Sequence, residues 1–190
     1  MPALDSKTDS PMKIETQIPF LDALLAPWQA TIGDEYLGYR NHVYRMAHCC
    51  LRLGDCSEEE RQKILIAAAF HDIGIWIEDT VDYIEPSVPP AMAYLRENDL
   101  EAWSDEIRLM ITEHHKVRPY HGEHERLVEL FRRGDLVDFS GGLVSFGIDK
   151  QELKSLRAAF PNAGFHRNLG KRGWRWFLKH PLNPAPMMKW

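Results

Sequence analysis

Cysteine is scarce: the 190 residues contain three, Cys49, Cys50 and Cys56, crowded into one short stretch. Cys49 and Cys50 are neighbours in what reads as a helix, so their side chains diverge and a bridge between them is disfavoured. Such an odd, clustered set reads as reduced thiols at small apolar positions rather than a disulfide framework, with a zinc thiolate site as the lesser alternative. No uninterrupted apolar stretch approaches the length of a membrane span, so no membrane partner is expected. The opening "MPALDSKTDSPMKIETQIP" has no apolar core and no cleavage pattern, so no secretory signal is read and a cytoplasmic location is expected. Lys and Arg number 23 against 28 Asp and Glu, a formal charge of -5, and the basic residues form no long run. A sequence-independent nucleic-acid partner is therefore not expected. Sustained period-two alternation is also missing, as is any repeat; "VSFGI" reads equally as a short strand or a loop.

What remains is helical. With 44% hydrophobic and 27% charged residues, the chain has the composition of an ordinary globular domain and the length for one core. Residues 1–19 read as a loose arm, 20–180 as a single all-α domain of about six to eight helices, and 181–190 as a proline-rich tail. Tyr39, Val43, Met46, Ala47 and Cys50 form a helical stripe between Glu35 and Leu53, with Gly54 placed as its stop. Ser57 and Glu60 predict a capping box for the next helix, which runs into His71 and Asp72. Gly74 and three prolines predict a loop before a helix around Ala91 to Asn98. Ser104 predicts the cap of a helix reaching His114 and His115. A helix from Glu123 to Phe139 should end before Gly141-Gly142. Asp149 with Glu152 predicts a second capping box, for a helix stopping near Pro161, and a last helix is expected between Asn168 and His180. Its Trp174, Trp176 and Phe177 are expected to pack into the core, with Arg172, Arg175 and Lys179 outside, although a second copy of the chain could also cover them.

With nine histidines, an adjacent His-Asp pair is weak evidence by itself. Its placement is stronger: His71 and Asp72 end an apolar helix, where a carboxylate is costly unless hydrated, paired or bound to a cation. Imidazole nitrogen and carboxylate oxygen would together suit a metal ion. His114 follows Ile107, Met110 and Ile111 at i+7, i+4 and i+3, so it should point inward, and His115 lies a quarter turn round. Asp135 and Asp138 continue the stripe of Leu127 and Phe131, and His42 lies one turn from Met46 with Arg45 beside it. Four helices each aim a His or an Asp at a common interior. Asp138 reads as the partner of a nearby base rather than a ligand. Glu78, Asp79 and Asp82 read as surface, and His121 and His124 of "HGEH" as an exposed turn.

In order, "RNHVYRM", "FHDIGIW", "ITEHHK" and "RRGDLVD" resemble the successive motifs of the HD superfamily of metal-dependent phosphohydrolases, over roughly Tyr36 to Phe139. The resemblance implies an all-α fold and a metal held by His42, His71, Asp72 and Asp135. Some members hold a second metal with extra histidines. His114-His115 is similar to one such element, but the other is replaced here by "YIEPSVPPAMAYL", where Glu85 is the available substitute. One divalent transition metal rather than two is expected, and manganese, iron, cobalt, nickel and zinc all suit the donors.

The implied activity is hydrolysis of a nucleotide or other small phosphate ester by a metal-activated water. Asp72 would anchor the metal and orient the water. His114 or His115 would donate a proton to the leaving oxygen or contact phosphate, and Arg45, Lys116 and Arg118 would neutralise the substrate's charge. The rivals are a di-iron oxygenase or zinc hydratase of the same superfamily, and a non-catalytic nucleotide-binding module. A homodimer is also compatible with the sequence.

Overall fold

A computed structural model describes residues 11–189, and among these residues it contains no strand. The helices are α1 (Pro19–Leu25), α2 (Gln29–Ile32), α3 (Tyr36–Leu53), α4 (Glu58–Phe70), α5 (Gly74–Ile77), α6 (Ile84–Glu97), α7 (Ser104–Glu113), α8 (Glu125–Phe139), α9 (Lys150–Ala159) and α10 (Phe165–Lys179), with short 3-10 turns between some of them. The expected all-α single-domain bundle is what the chain forms.

Two helices are central. From Gly38 to Cys50, α3 is buried on nearly every face, and α4 is buried continuously from Ile64 to Phe70. The buried half of α4 is apolar throughout, as an interior helix should be, whereas α3 also buries Asn41, His42, Arg45 and His48. Among the described residues α3 and α8 share the most extensive helix–helix contact, and Gly134 permits their close approach. A β-carbon there would overlap Cys50 Sγ and approach the Cys50 backbone nitrogen to 2.9 Å. Because the obstacle includes main chain, no rotamer change relieves it. Gly134→Ala should therefore destabilise the protein by about 2 kcal/mol or more, read as a lowered denaturation midpoint, and should shift the adjacent Asp135.

Local signals mostly fix the helix ends. Ser57 and Glu60 form the expected capping box. Asp149 caps α9 by accepting from the backbone of Gln151 and Glu152, but the box is only half made. The Glu152 carboxylate is drawn instead to Arg52 and the backbone of Met12. Ser104 does not cap α7. It is the first helical residue, Trp103 stands at the cap, and a 3-10 turn (Glu101–Trp103) leads the chain in. Gly54 stops α3 in an extended conformation, φ -153°, rather than a left-handed one. "VSFGI" is a loop.

The largest departure is α6, which begins at Ile84 and carries Pro89 and Pro90 inside it, where the prolines predicted a loop. An interior proline costs about 3 kcal/mol. Against that, Ile84, Val88, Met92 and Leu95 are buried on one face, at roughly 1.5–3 kcal/mol each. Burial outweighs the lost bonds, and Pro86 in the first turn forfeits none. Gly74 lets α6 press onto α5. Its N–H donates to Ser87 Oγ at 3.0 Å, and a β-carbon would meet the Tyr83 carbonyl oxygen.

Of the expected arm, residues 1–10 lie outside the described residues, and residues 11–18 are tied to the body rather than loose. The backbone N–H of Glu15 donates to His48 Nε2 and that of Ile18 to Tyr44 Oη, each at 2.9 Å. The tail is tied as well: Val117 N–H donates to the Lys189 carbonyl at 2.8 Å. Helix α10 starts earlier than expected, at Phe165, and docks on the body through Phe165 and Leu169. Its outer half projects, so Trp174 is 61% and Phe177 39% exposed, against the expectation that they join the core.

Candidate metal centre

Helices α3, α4, α7 and α8 deliver their polar residues to one buried point. His42 lies within α3, Asp135 within α8, and His71 and His114 are the residues at which α4 and α7 end. Helix C-termini carry unsatisfied carbonyls, and each terminal histidine uses one. His71 Nδ1–H donates to Ala68 O at 2.9 Å, and His114 Nδ1–H to Ile111 O at 2.6 Å. His42 Nδ1–H donates to Asp138 Oδ2 at 2.7 Å. With each Nδ1 committed as a donor, each ring turns its Nε2 inward, the atom that a metal ion would meet.

Those nitrogens converge on two carboxylates. His42 Nε2 is 3.1 Å from His71 Nε2, 3.5 Å from Asp135 Oδ1 and 3.7 Å from Asp72 Oδ2. His71 Nε2 is 3.3 Å from Asp72 Oδ2, and His114 Nε2 is 3.5 Å from Asp72 Oδ1. Two lone pairs facing at 3.1 Å repel unless a proton or cation lies between them. Asp72 Oδ1 and His114 Nε2 are buried with no hydrogen-bond partner, a costly arrangement for a group that nothing coordinates. Among the described residues three overlapping groups could hold a metal ion: His42, His71 and Asp135; His71, Asp72 and His114; His114, His115 and Asp135.

The electrostatics agree with a site that draws positive charge. Burial opposes protonation of His71, but Asp72 and then Asp135 outweigh it and raise its pKa to about 9. Burial raises Asp72 too, yet His71 and His114 hold it well below the usual carboxylate range. Asp135 is pushed up, chiefly by burial. Aromatic rings wall the cluster: Phe165 stacks on His42 with centroids 4.4 Å apart, and Tyr39 stacks over His71 at 6.2 Å.

The residues expected around these ligands divide. His115 is present but engaged: Tyr83 Oη lies 2.6 Å from its Nε2. Burial, then His114, holds His115 well below the ordinary imidazole value, and burial with Asp72 pushes Tyr83 up, so the phenol donates to a neutral ring. Arg45 does not face a substrate. It is buried, with Nε 2.5 Å and Nη2 2.8 Å from the two oxygens of Asp138 and Nη1 2.9 Å from Phe160 O. With Pro161 O as a further acceptor, four of its five N–H groups are taken by the protein. Asp138 pairs with this base as expected. Lys116 is partly exposed, with Nζ 3.9 Å from Glu113 Oε2, and Arg118 is exposed in the following loop. Glu85 is exposed and belongs to none of the metal-capable groups; the residue that enters the site from that segment is Tyr83. Tyr83 and Phe165 were not anticipated. Tyr83 lay in a segment whose prolines masked its helix, and Phe165 preceded the expected start of α10.

A second layer fastens the loop after His115. Glu129 accepts from Arg132 Nε at 2.7 Å, Arg133 Nε at 2.8 Å and Tyr120 N–H at 2.9 Å, while Arg132 Nη1 donates to Lys116 O at 3.1 Å. Burial opposes ionisation of Glu129, but Arg132, the Tyr120 N–H and Arg133 outweigh it and lower its pKa from 4.5 to about 2. A depressed folded-state pKa stabilises above the unfolded value, and that contribution fades as pH falls through the folded one. Glu129→Gln should therefore lower the melting temperature at neutral pH. The gap to the wild type should close on acidification from 4.5 toward about 2, as thermal melts across that window would show.

No protein-family model matches this chain, and no curated protein or solved structure matches it either.

Proposed function

We propose that this chain is a metal-dependent phosphohydrolase of the HD type, acting on a nucleotide or other small phosphate ester. Its ligands are His42, His71, Asp72 and Asp135. The observation that carries the reading is the convergence of three Nε2 atoms and two carboxylates, with Asp72 Oδ1 and His114 Nε2 buried and without hydrogen-bond partners among the described residues. The mixed imidazole–carboxylate donors fit a divalent transition metal, with manganese, iron, cobalt, nickel and zinc all compatible. When bound, such a cation supplies charge for the phosphoryl oxygens and acidifies water enough to yield hydroxide near neutrality.

The chain's own groups then divide the remaining work. Asp138 fixes the tautomer and orientation of His42, as the helix-end carbonyls do for His71 and His114. His114, its Nδ1–H held by Ile111 O, turns Nε2 toward Asp72, where it can ligate the metal or contact the substrate. Asp72 Oδ1, with no hydrogen-bond partner among the described residues, can accept a hydrogen bond from water and orient it. Neutral His115 accepts from Tyr83, and the pair sets a polar edge beside the cluster. Lys116 and Arg118 supply the positive charge nearest the substrate, without Arg45. A second reading, two cations sharing the carboxylates, is favoured by the group of His114, His115 and Asp135. A second copy of the chain would pack on the exposed Trp174, Phe177 and Leu178 of α10.

The test is elemental analysis of the purified protein, then phosphate release from a panel of nucleotides and small phosphate esters after reconstitution. About one transition metal per chain and metal-dependent phosphate release are expected. Two irons per chain with oxygen consumption would replace the hydrolase by an oxygenase. Failure to retain manganese, iron or zinc, with no hydrolysis, would leave a non-catalytic binding module.

A further inference from the structure

Beyond the Arg45–Asp138 pair lies a cavity of about 310 Å³, lined by Arg45, Asp138, Ser140, Arg157, Asn162 and His166 among others. Its one lining carboxylate is neutralised, because Arg45 takes both oxygens of Asp138. No acidic residue follows Glu152 in the sequence, so the last two turns of α9 and all of α10 carry no acidic side chain, and these helices line the cavity with Arg157 and His166.

Two donors there are open. Asn162 holds His166 from both ends of its amide: Oδ1 accepts the His166 backbone N–H, and Nδ2–H donates to the ring's Nδ1. That arrangement fixes the amide orientation and leaves the ring proton on Nε2. His166 Nε2 is buried with no hydrogen-bond partner; the Phe139 carbonyl lies near enough to favour the proton but does not complete a bond. The second donor is Arg157. Its guanidinium rests over Gly141 and Gly142, within 3.3 Å of where a β-carbon of Gly141 would lie. No carboxylate pairs with it among the described residues. A buried N–H without an acceptor beside an unpaired guanidinium asks for an anion with several acceptor oxygens.

We propose that this cavity is a binding site for a small phosphate group, held by Arg157 and by His166 Nε2–H and separate from the metal cluster. Phosphate matches the planar guanidinium fork and still offers an oxygen to the imidazole N–H. The volume is at the lower end of small-molecule sites, roughly 300–1,000 Å³, so free phosphate or a small phosphomonoester fits and a dinucleotide does not. The site does not depend on the hydrolase reading, since none of its donors is a metal ligand.

The test is a titration of the full chain with inorganic phosphate and, in parallel, with phenyl phosphate, following the His166 ring signals by NMR at constant ionic strength. Saturable shifts are expected, with a dissociation constant on the order of 1 mM. Arg157→Gln, at an exposed position whose fold is checked by thermal melting, should weaken binding about tenfold. His166→Phe, followed through the backbone amide signals of Gly141 and Gly142 under the Arg157 guanidinium, should weaken it in the same direction. Tighter binding of the ester would identify a phosphomonoester as the occupant, and equal or tighter binding of phosphate would identify the free ion. Linear, unsaturated shifts in the wild type, or equal affinity in Arg157→Gln, would overturn the proposal.

Discussion

Asp72→Ala should abolish metal retention and lower metal-dependent phosphate release by about a thousandfold. Asp72 faces both halves of the cluster. Its Oδ2 lies 3.3 Å from His71 Nε2 and 3.7 Å from His42 Nε2, and its Oδ1 lies 3.5 Å from His114 Nε2. Removing it strips an anionic ligand and leaves three imidazoles without the charge that draws a cation toward them. His114→Ala should do less, about ten- to a hundredfold in metal affinity, because His42, His71, Asp72 and Asp135 survive it. Asp72→Asn separates charge from shape: it keeps the volume and a carbonyl oxygen but should still lose most of the metal. Elemental analysis with phosphate-release assays on the three variants ranks them. An Asp72→Ala protein that keeps its metal and its activity would remove this cluster from the chemistry.

Much of this centre was legible in the sequence because its residues obey helical spacing. His114 is seven residues from Ile107, and Asp135 is four from Phe131, so once α7 and α8 are known to bury those apolar residues, the polar ones must follow them inside. His71 and Asp72 were marked by their place at the end of an apolar helix. The supporting layer was less legible. Nothing in sequence spacing tells that the carbonyls of Ala68 and Ile111 take the Nδ1 protons of His71 and His114, because that depends on where each helix frays.

Arg45 shows the limit more sharply. One turn from His42, it had the address of a substrate-binding residue, and only the course of α8 reveals that Asp138 meets it first. Segments such as α6 and α10 misled for a different reason. Their local signals, prolines in one and alternating aromatic and basic residues in the other, were outvoted by tertiary burial in α6. In α10 the expected burial did not occur, because only Phe165 and Leu169 found a surface to cover.

Arg45→Met should destabilise the fold by about 3–5 kcal/mol, a drop on the order of 10 °C in melting temperature. The methionine fills most of the volume, so the loss comes from leaving the Asp138 carboxylate buried against His42 alone. Burial works against ionisation of Asp138, and His42 and Arg45 overcome it to hold the group far below the usual carboxylate range. Without the guanidinium, the Phe160 carbonyl loses its donor as well. The double variant Arg45→Met/Asp138→Leu should regain much of the lost stability, because an apolar pair of similar volume often does as well as a buried ion pair. It should not regain metal affinity. His42 Nδ1 would then have no acceptor, its tautomer would no longer be fixed, and its Nε2 lone pair would face the cluster only part of the time. Melting curves and metal titrations on the single and double variants thus read two different quantities. Recovery of stability without recovery of metal binding is the expected pattern; recovery of both would show that Asp138 serves packing alone.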